Sequence, residues 1–301
     1  RLGRLYCNHG NAQAAIKMLQ RAWVLSPQDR DTCFLLGKTY ADLGQRADAI
    51  EQFTLMTQDS PEWAEAHFEL GRVLYQDGLH GRALTAFARA ASLAPTNPEM
   101  LFNLASLYQE LGDLDKARIN YEALVQLQPE HAHARHTFAC CLYALNHPKD
   151  AEAELKRTLE LKPGWSQTWY VLGHLYESTG RGPVAIEAFS RAFEINPNDV
   201  DIALTLGQIY YRHYQPNAAI EVFKAATNIP GEHQATTWFY LAQTYRVKGS
   251  NTDAIEALHR CLRANPDRDM AKSANELLKA LGSKASTFSF PTTGATGRVA
   301  K

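Results

Sequence analysis

Residues 131–141 read HAHARHTFACC. On a helix, His133, His136 and Cys140 fall at i, i+3 and i+7, on one face. Imidazole and thiolate groups are the usual ligands of zinc and copper. His174 follows Cys140 by 34 residues and would complete a four-donor set if the two positions met. The competing reading is a polar patch that touches a partner, because eleven histidines are scattered along the chain. Other reactive patterns are sparse. The "GATG" near the C-terminus has no strand before it and no helix after it, so it carries no phosphate-binding meaning. No Ser/His/Asp set stands out from background. The five cysteines show no paired spacing, which suits free thiols in a reducing compartment. Cys33, Cys141 and Cys261 sit on apolar helix faces, where a thiol behaves as a small hydrophobe. These residues point away from an enzyme and imply no cofactor.

The net charge of −1 provides no global field for nucleic acid or a membrane surface. No apolar run approaches the roughly 18 residues that a membrane span needs. The expected compartment is the cytoplasm. Arg1 starts mid-pattern without a methionine, so the chain reads as a fragment of a longer array, and a targeting segment upstream would change that expectation.

What must position these residues is a repeat. Pro27, Pro61, Pro95, Pro129, Pro163 and Pro197 stand 34 residues apart, and Pro266 follows Pro197 by two periods plus one residue. The units are 30–63, 64–97, 98–131, 132–165, 166–199, 200–234 and 235–268. Position 7 of each is apolar: Leu36, Leu70, Leu104, Phe138, Leu172, Leu206, Leu241. Position 8 is small: Gly37, Gly71, Ala105, Ala139, Gly173, Gly207, Ala242. Position 20 is always alanine, and position 24 reads Phe53, Phe87, Tyr121, Leu155, Phe189, Phe223, Leu258. This spacing predicts two amphipathic helices per unit, small residues facing large ones. Gly44, Gly78, Gly112, Gly180 and Gly249 mark the turn between them. Asn146 and Tyr214 replace that glycine in two units, Arg135 takes an otherwise mostly apolar position 4, and the unit at 200–234 has one extra residue. Those two joints are expected to be looser or differently bent.

In period, small residues, aromatics and proline, the chain resembles the tetratricopeptide repeat family over about residues 1–268. The resemblance implies an all-α fold, a right-handed superhelical solenoid of helix pairs. It implies a partial repeat at 1–29 and seven repeats over 30–268; beyond them, the one-sided apolar face at 269–282 reads as a capping helix, and the Ser/Thr/Gly/Pro-rich, acid-free stretch at 283–301 reads as a disordered tail. In such arrays the first helices line a concave groove, with positions 2, 5, 9, 12 and 13 facing it. Position 5 supplies Phe34, Phe68, Phe102, His136, Tyr170 and Phe239. Position 9 supplies Lys38, Arg72, Cys140, His174 and Gln243. Tyr75, Tyr143 and Tyr211 hold position 12, with Asn103, Arg212 and Arg246 nearby.

An aromatic ladder with scattered cations suits an extended peptide or a partner helix. The same aromatics also suit half-buried packing within the repeats. The Lys/Asn/Arg set of chaperone-tail receptors is absent from any three consecutive units. Position 6 carries a single asparagine, Asn103, where the sugar-transferring members of the superfamily carry a ladder. The expected function is a non-enzymatic protein-interaction scaffold that grips a partner's peptide segment or helix, as a subunit or adaptor of a multiprotein complex. The alternative is self-assembly into a homo-oligomer through the ends or tail.

Overall fold

The computed structural model describes residues 12–26 and 29–282. Pro27, most of the partial first helix at 1–11 and the 283–301 tail lie outside the described residues. The described residues form sixteen helices and no strand. They are α1 (Ala12–Leu25), α2 (Arg30–Asp42), α3 (Arg46–Asp59), α4 (Ala64–Gln76), α5 (His80–Leu93), α6 (Pro98–Glu110), α7 (Leu114–Leu127), α8 (Ala132–Ala144) and α9 (Pro148–Leu161). There follow α10 (Ser166–Ser178), α11 (Gly182–Ile195), α12 (Val200–Arg212), α13 (Pro216–Thr227), α14 (Gln234–Lys248), α15 (Asn251–Arg263) and α16 (Arg268–Ala280). The chain divides into two compact units after Leu161. Within each unit, every helix packs on the next one in sequence.

The 34-residue chemistry explains that packing. A helix pair cannot hide its apolar stripe alone, so neighbouring pairs share one core. Inside a pair the position 8 residue faces the position 24 side chain. A methyl group added to Gly71 would lie 2.6 Å from the Phe87 ring, and one added to Gly173 would lie 2.7 Å from Phe189. The two series compensate in volume in six of the seven units, the exception being Ala105 with Tyr121. Four glycines oppose phenylalanine, whereas Ala139 and Ala242 stand in the units that carry Leu155 and Leu258. Phe53, Phe189 and Phe223 are fully buried as a result. Burying each such ring contributes about 2–3 kcal/mol.

The two expected loose joints keep the common geometry. Asn146 at φ 61° and Tyr214 at φ 55° adopt the left-handed conformation of the turn glycines, which lie at φ 73–82°. The closing backbone bonds match as well. His147 N donates to Leu142 O at 2.9 Å and Gln215 N to Tyr210 O at 2.9 Å, as Leu79 N does to Leu74 O at 2.9 Å. The helix-ending turn therefore overrides the side chain, at the cost of backbone strain at Tyr214, whose ring is 87% exposed.

Arg135 is also well held. Its Nε donates to Pro129 O at 2.6 Å, and its Nη1 meets Glu154 at 2.5 Å. His67 and Trp169 use the same repeat position in the same way, reaching Pro61 O and Pro163 O at 3.1 Å each. Position 4 thus ties the first helix to the loop before it. The extra residue of the 200–234 unit is absorbed after α13, which has 12 residues where most second helices have 14. The Gln234 side-chain amide spans that loop, donating to Thr227 O and Ile229 O at 3.0 Å each. At the far end, α16 buries Ala271, Ala274 and Leu278 against the last helix pair and leaves Lys272 and Lys279 exposed.

Candidate partner-binding face

The first helices α2, α4, α6 and α8 of the first unit present one row of side chains. Their position 5 rings lean on the position 24 ring of the same repeat: Phe34 on Phe53 at 5.9 Å, Phe68 on Phe87 at 5.6 Å, Phe102 on Tyr121 at 6.2 Å. Phe34 also stacks on Trp63 at 5.3 Å. Phe34, Phe102, Asn103, His136, Cys140 and Tyr143 are half-buried, so part of each remains available. Phe68 is only 6% exposed. It belongs to the packing, which corrects its assignment to the groove surface.

The two cations of this row are already engaged. Glu69 is a buried carboxylate, its side chain 10% exposed. One oxygen meets Lys38 Nζ at 3.4 Å, and the other accepts from Arg72 Nε at 3.0 Å and Nη2 at 2.9 Å. Lys38 also lies 5.7 Å above the Phe34 ring. Tyr75, 40% exposed, donates to Glu110 Oε2 at 2.8 Å, and that bond holds its hydroxyl pKa above the ordinary value. Asn103 donates to Glu99 O at 2.8 Å.

The proposed ligand set does not assemble. His133 lies against Phe102 at 5.3 Å. His136 Nε2 and Cys140 Sγ stand 3.7 Å apart as a pair. Among the described residues, no group of three or more His, Cys, Asp or Glu side chains is placed to hold a metal ion. Burial, with a smaller push from His133, lowers the His136 pKa to about 4. Burial, then Cys141, raises the Cys140 thiol to about 11. Both groups are neutral near pH 7 and behave as weakly polar packing.

In the second unit, α10, α12 and α14 carry the equivalent row. Tyr170 leans on Phe189 at 5.7 Å, and its hydroxyl pairs with Thr205 at 3.1 Å. His174 sits edge-on to Tyr170 at 4.6 Å and to Phe189 at 4.9 Å, and burial is the main cause of its lowered pKa. Arg212 pairs with Glu177. Tyr211, Phe239 and Gln243 are half-buried, whereas Arg246 is exposed and, among the described residues, without an acidic partner. Leu204, the position 5 residue between Tyr170 and Phe239, is 8% exposed and interrupts the row.

Several contributors were not apparent from the repeat positions alone: Glu69, Glu110, Glu177 and Thr205. A signal for most of them exists. Tyr75 with Glu110, Tyr170 with Thr205 and Glu177 with Arg212 are each 35 residues apart. Complementary residues at one period plus one thus mark rungs between neighbouring first helices.

Two family models match the chain, both described as tetratricopeptide repeat. One matches residues 34–98, 136–200, 170–233 and 204–269, the other 97–163. The chain belongs to the tetratricopeptide repeat family. No curated protein matches it. Among solved structures, a tetratricopeptide repeat protein from Parabacteroides merdae is 19% identical with a TM-score of 0.60, over 84% of this chain and 98% of that one. YrrB, described as a TPR protein with an unusual peptide-binding site, is 22% identical with a TM-score of 0.52, over 64% and 98%. The APC/C hetero-tetramer Cut9–Hcn1 is 18% identical with a TM-score of 0.52, over 90% of this chain and 52% of that one. At these identities the likeness shows the shared fold. Among the described residues, no helix is long and apolar enough to cross a membrane.

Proposed function

We propose that the chain is a non-enzymatic interaction scaffold whose first-helix face holds a peptide segment or helix of a partner protein, within a multiprotein complex. The observation that carries this reading is the row of rings on the first helices that the repeats anchor but do not cover: Phe34 and Phe102 in one unit, Tyr170 and Phe239 in the other. Phe68 and Leu204 hold the same repeat position and are buried, whereas these four rings stay half-open. Rigid, half-exposed aromatics beside polar rungs are what an interface core with a polar rim needs. YrrB, a TPR protein with a peptide-binding site, and the Cut9–Hcn1 hetero-tetramer support the same class of role.

The test is a paired affinity capture from native lysate, read by mass spectrometry. One bait is the unchanged chain. The other carries Tyr75, Phe102, Tyr170 and Tyr211 changed to Ala, with circular dichroism to confirm equal helicity. A protein held only by the unchanged bait is the expected result. Equal capture by both baits would remove binding from this face. A molar mass that rises with protein concentration in light scattering would then favour self-assembly through the ends or the tail.

A further inference from the structure

We infer that a cleft of the second unit, walled by Trp238 and Tyr245, docks a proline-bearing extended segment of a partner protein, with the Trp238 indole N–H donating to one of its backbone carbonyls. The cleft, of about 280 Å³, is lined by α13, α14 and α15 and shares no residue with the first-helix row. It opens where one repeat lets go of its loop. In three other units the position 4 side chain pairs with a proline carbonyl six residues before it: His67 with Pro61 O, Arg135 with Pro129 O, Trp169 with Pro163 O. Arginines at position 26 hold the same loops, Arg89 donating to Pro61 O at 3.2 Å and Arg157 to Glu130 at 2.9 Å. Before α14 the loop is longer, and Pro230 stands eight residues ahead of Trp238. Gln234 takes the loop carbonyls there. Trp238 Nε1 is left without a hydrogen-bond partner among the described residues, and Arg260 turns to Glu256 of its own helix at 3.1 Å.

The free donor can be reached. Trp238 is half-buried, and its Nε1 is not one of the unpartnered atoms sealed from solvent. The Arg260 guanidinium lies 4.8 Å over the indole ring and holds it in place. Tyr245, seven residues along the same helix, lines the cleft too, and its hydroxyl has no hydrogen-bond partner among the described residues. Two such donors ask for open carbonyls. Carbonyls inside a helix are spent on its own bonds, whereas those of a polyproline II segment are all free. Proline rings also pack on aromatic walls, and the segment is ordered before it binds. The protein's own repeats agree, because Trp169 at the equivalent position takes a proline carbonyl. Around the aromatics stand Lys224, Arg260, Asp253 and Glu256, two charges of each sign. A rim without net charge suits a neutral segment. It exerts no pull on the chain's own tail, which carries Lys284, Arg298 and Lys301 and no acid.

The test needs no knowledge of the partner. Acetylated and amidated tetraproline and tetraalanine are titrated into the full chain labelled with heavy nitrogen, and the indole N–H resonances of the five tryptophans are followed by NMR. Trp238→Phe identifies the Trp238 resonance by its loss. Tetraproline is expected to shift the Trp238 N–H saturably, with a Kd of about 1 mM, as befits a fragment. Trp169, whose N–H is already bonded to Pro163 O, should not move. Tetraalanine should bind about tenfold more weakly, because it must be ordered on binding. Trp238→Phe keeps a ring in the wall and loses the donor, so tetraproline, followed there at the Tyr245 ring, should bind about fivefold more weakly. No saturable shift, an equal response to tetraalanine, or an unchanged affinity in Trp238→Phe would overturn the site. A Trp238 shift caused by Pro291→Ala with no peptide added would overturn the partner assignment and give the cleft to the chain's own tail. These outcomes are independent of the capture comparison above, which alters no residue of the cleft.

Discussion

The two sets of first helices share a scaffold and differ in charge. On α2, α4 and α6 the outward positions carry Asp31, Asp42, Glu65, Glu99 and Glu110, with Lys38 and Arg72 drawn inward by the buried Glu69. On α10, α12 and α14 the same positions carry Asp201 and Glu177 against Arg212 and Arg246. The interior positions of the two sets are nearly interchangeable: Gly71 under Phe87 in one, Gly173 under Phe189 in the other. The repeat therefore dictates how the helices pack, and leaves the outward positions free to specify a partner. One set is acidic, and the other is electrically balanced.

Packing should fail equally in both units. Leu104→Ala and Leu172→Ala remove side chains that are 5% and 2% exposed. Each should cost about 2–5 kcal/mol in urea unfolding. A cost in one unit far below the other would break the claim that the interiors are equivalent.

Ionic rungs should not be equal. Glu69→Ala removes a carboxylate that is 10% exposed from two cations that are 41% and 38% exposed, and should cost about 1 kcal/mol. Glu177→Ala loosens a pair whose arginine is 56% exposed and should cost well under about 1 kcal/mol. Equal losses would mean that the burial of Glu69 adds nothing to its pairing.

Acid should act through His136. Its pKa in the folded chain, about 4, lies below the ordinary 6.5 because burial disfavours the charged ring. The folded chain resists a proton that the unfolded chain accepts. Stability is therefore full above about pH 6.5 and falls as the pH drops towards 4, by up to about 3 kcal/mol from this group. His136→Phe, matching the ring found in other units, should remove that part of the pH dependence between pH 7 and 4.5. An unchanged slope would assign the effect elsewhere.

The smallest effects belong to the turns. Tyr214→Gly should stabilise the second unit by about 0.5–1 kcal/mol, because glycine accepts φ 55° without strain. Asn146→Gly should gain only a few tenths, because asparagine tolerates that conformation. Thermal unfolding of the two variants compares them directly.

Much of this fold is legible in the residues. The proline period, the small position 8 and the large position 24 define helix pairs and how closely they approach, because those constraints are local and repeated. The candidate face is less legible. Phe34 and Phe68 hold the same repeat position, yet one stays half-open and the other is covered, a difference set by neighbouring repeats and invisible in either unit alone. Lys38 and Arg72 look like free cations until Glu69, three residues before Arg72, is seen to hold both. Asn146 and Tyr214 look like defects, yet the closing backbone bonds of the turn prevail over residue preference.

The most direct test of the binding face is site-specific photocrosslinking. A benzoyl-phenylalanine is placed at Tyr75, at Tyr211, or at the exposed second-helix positions Ile119 and Val184, which are 57% and 42% exposed. Each chain is irradiated in native lysate. Crosslinks to a common partner from Tyr75 and Tyr211, and none from Ile119 and Val184, are the result expected of a first-helix binding face. Crosslinks from Ile119 and Val184 without those from the tyrosines would contradict it.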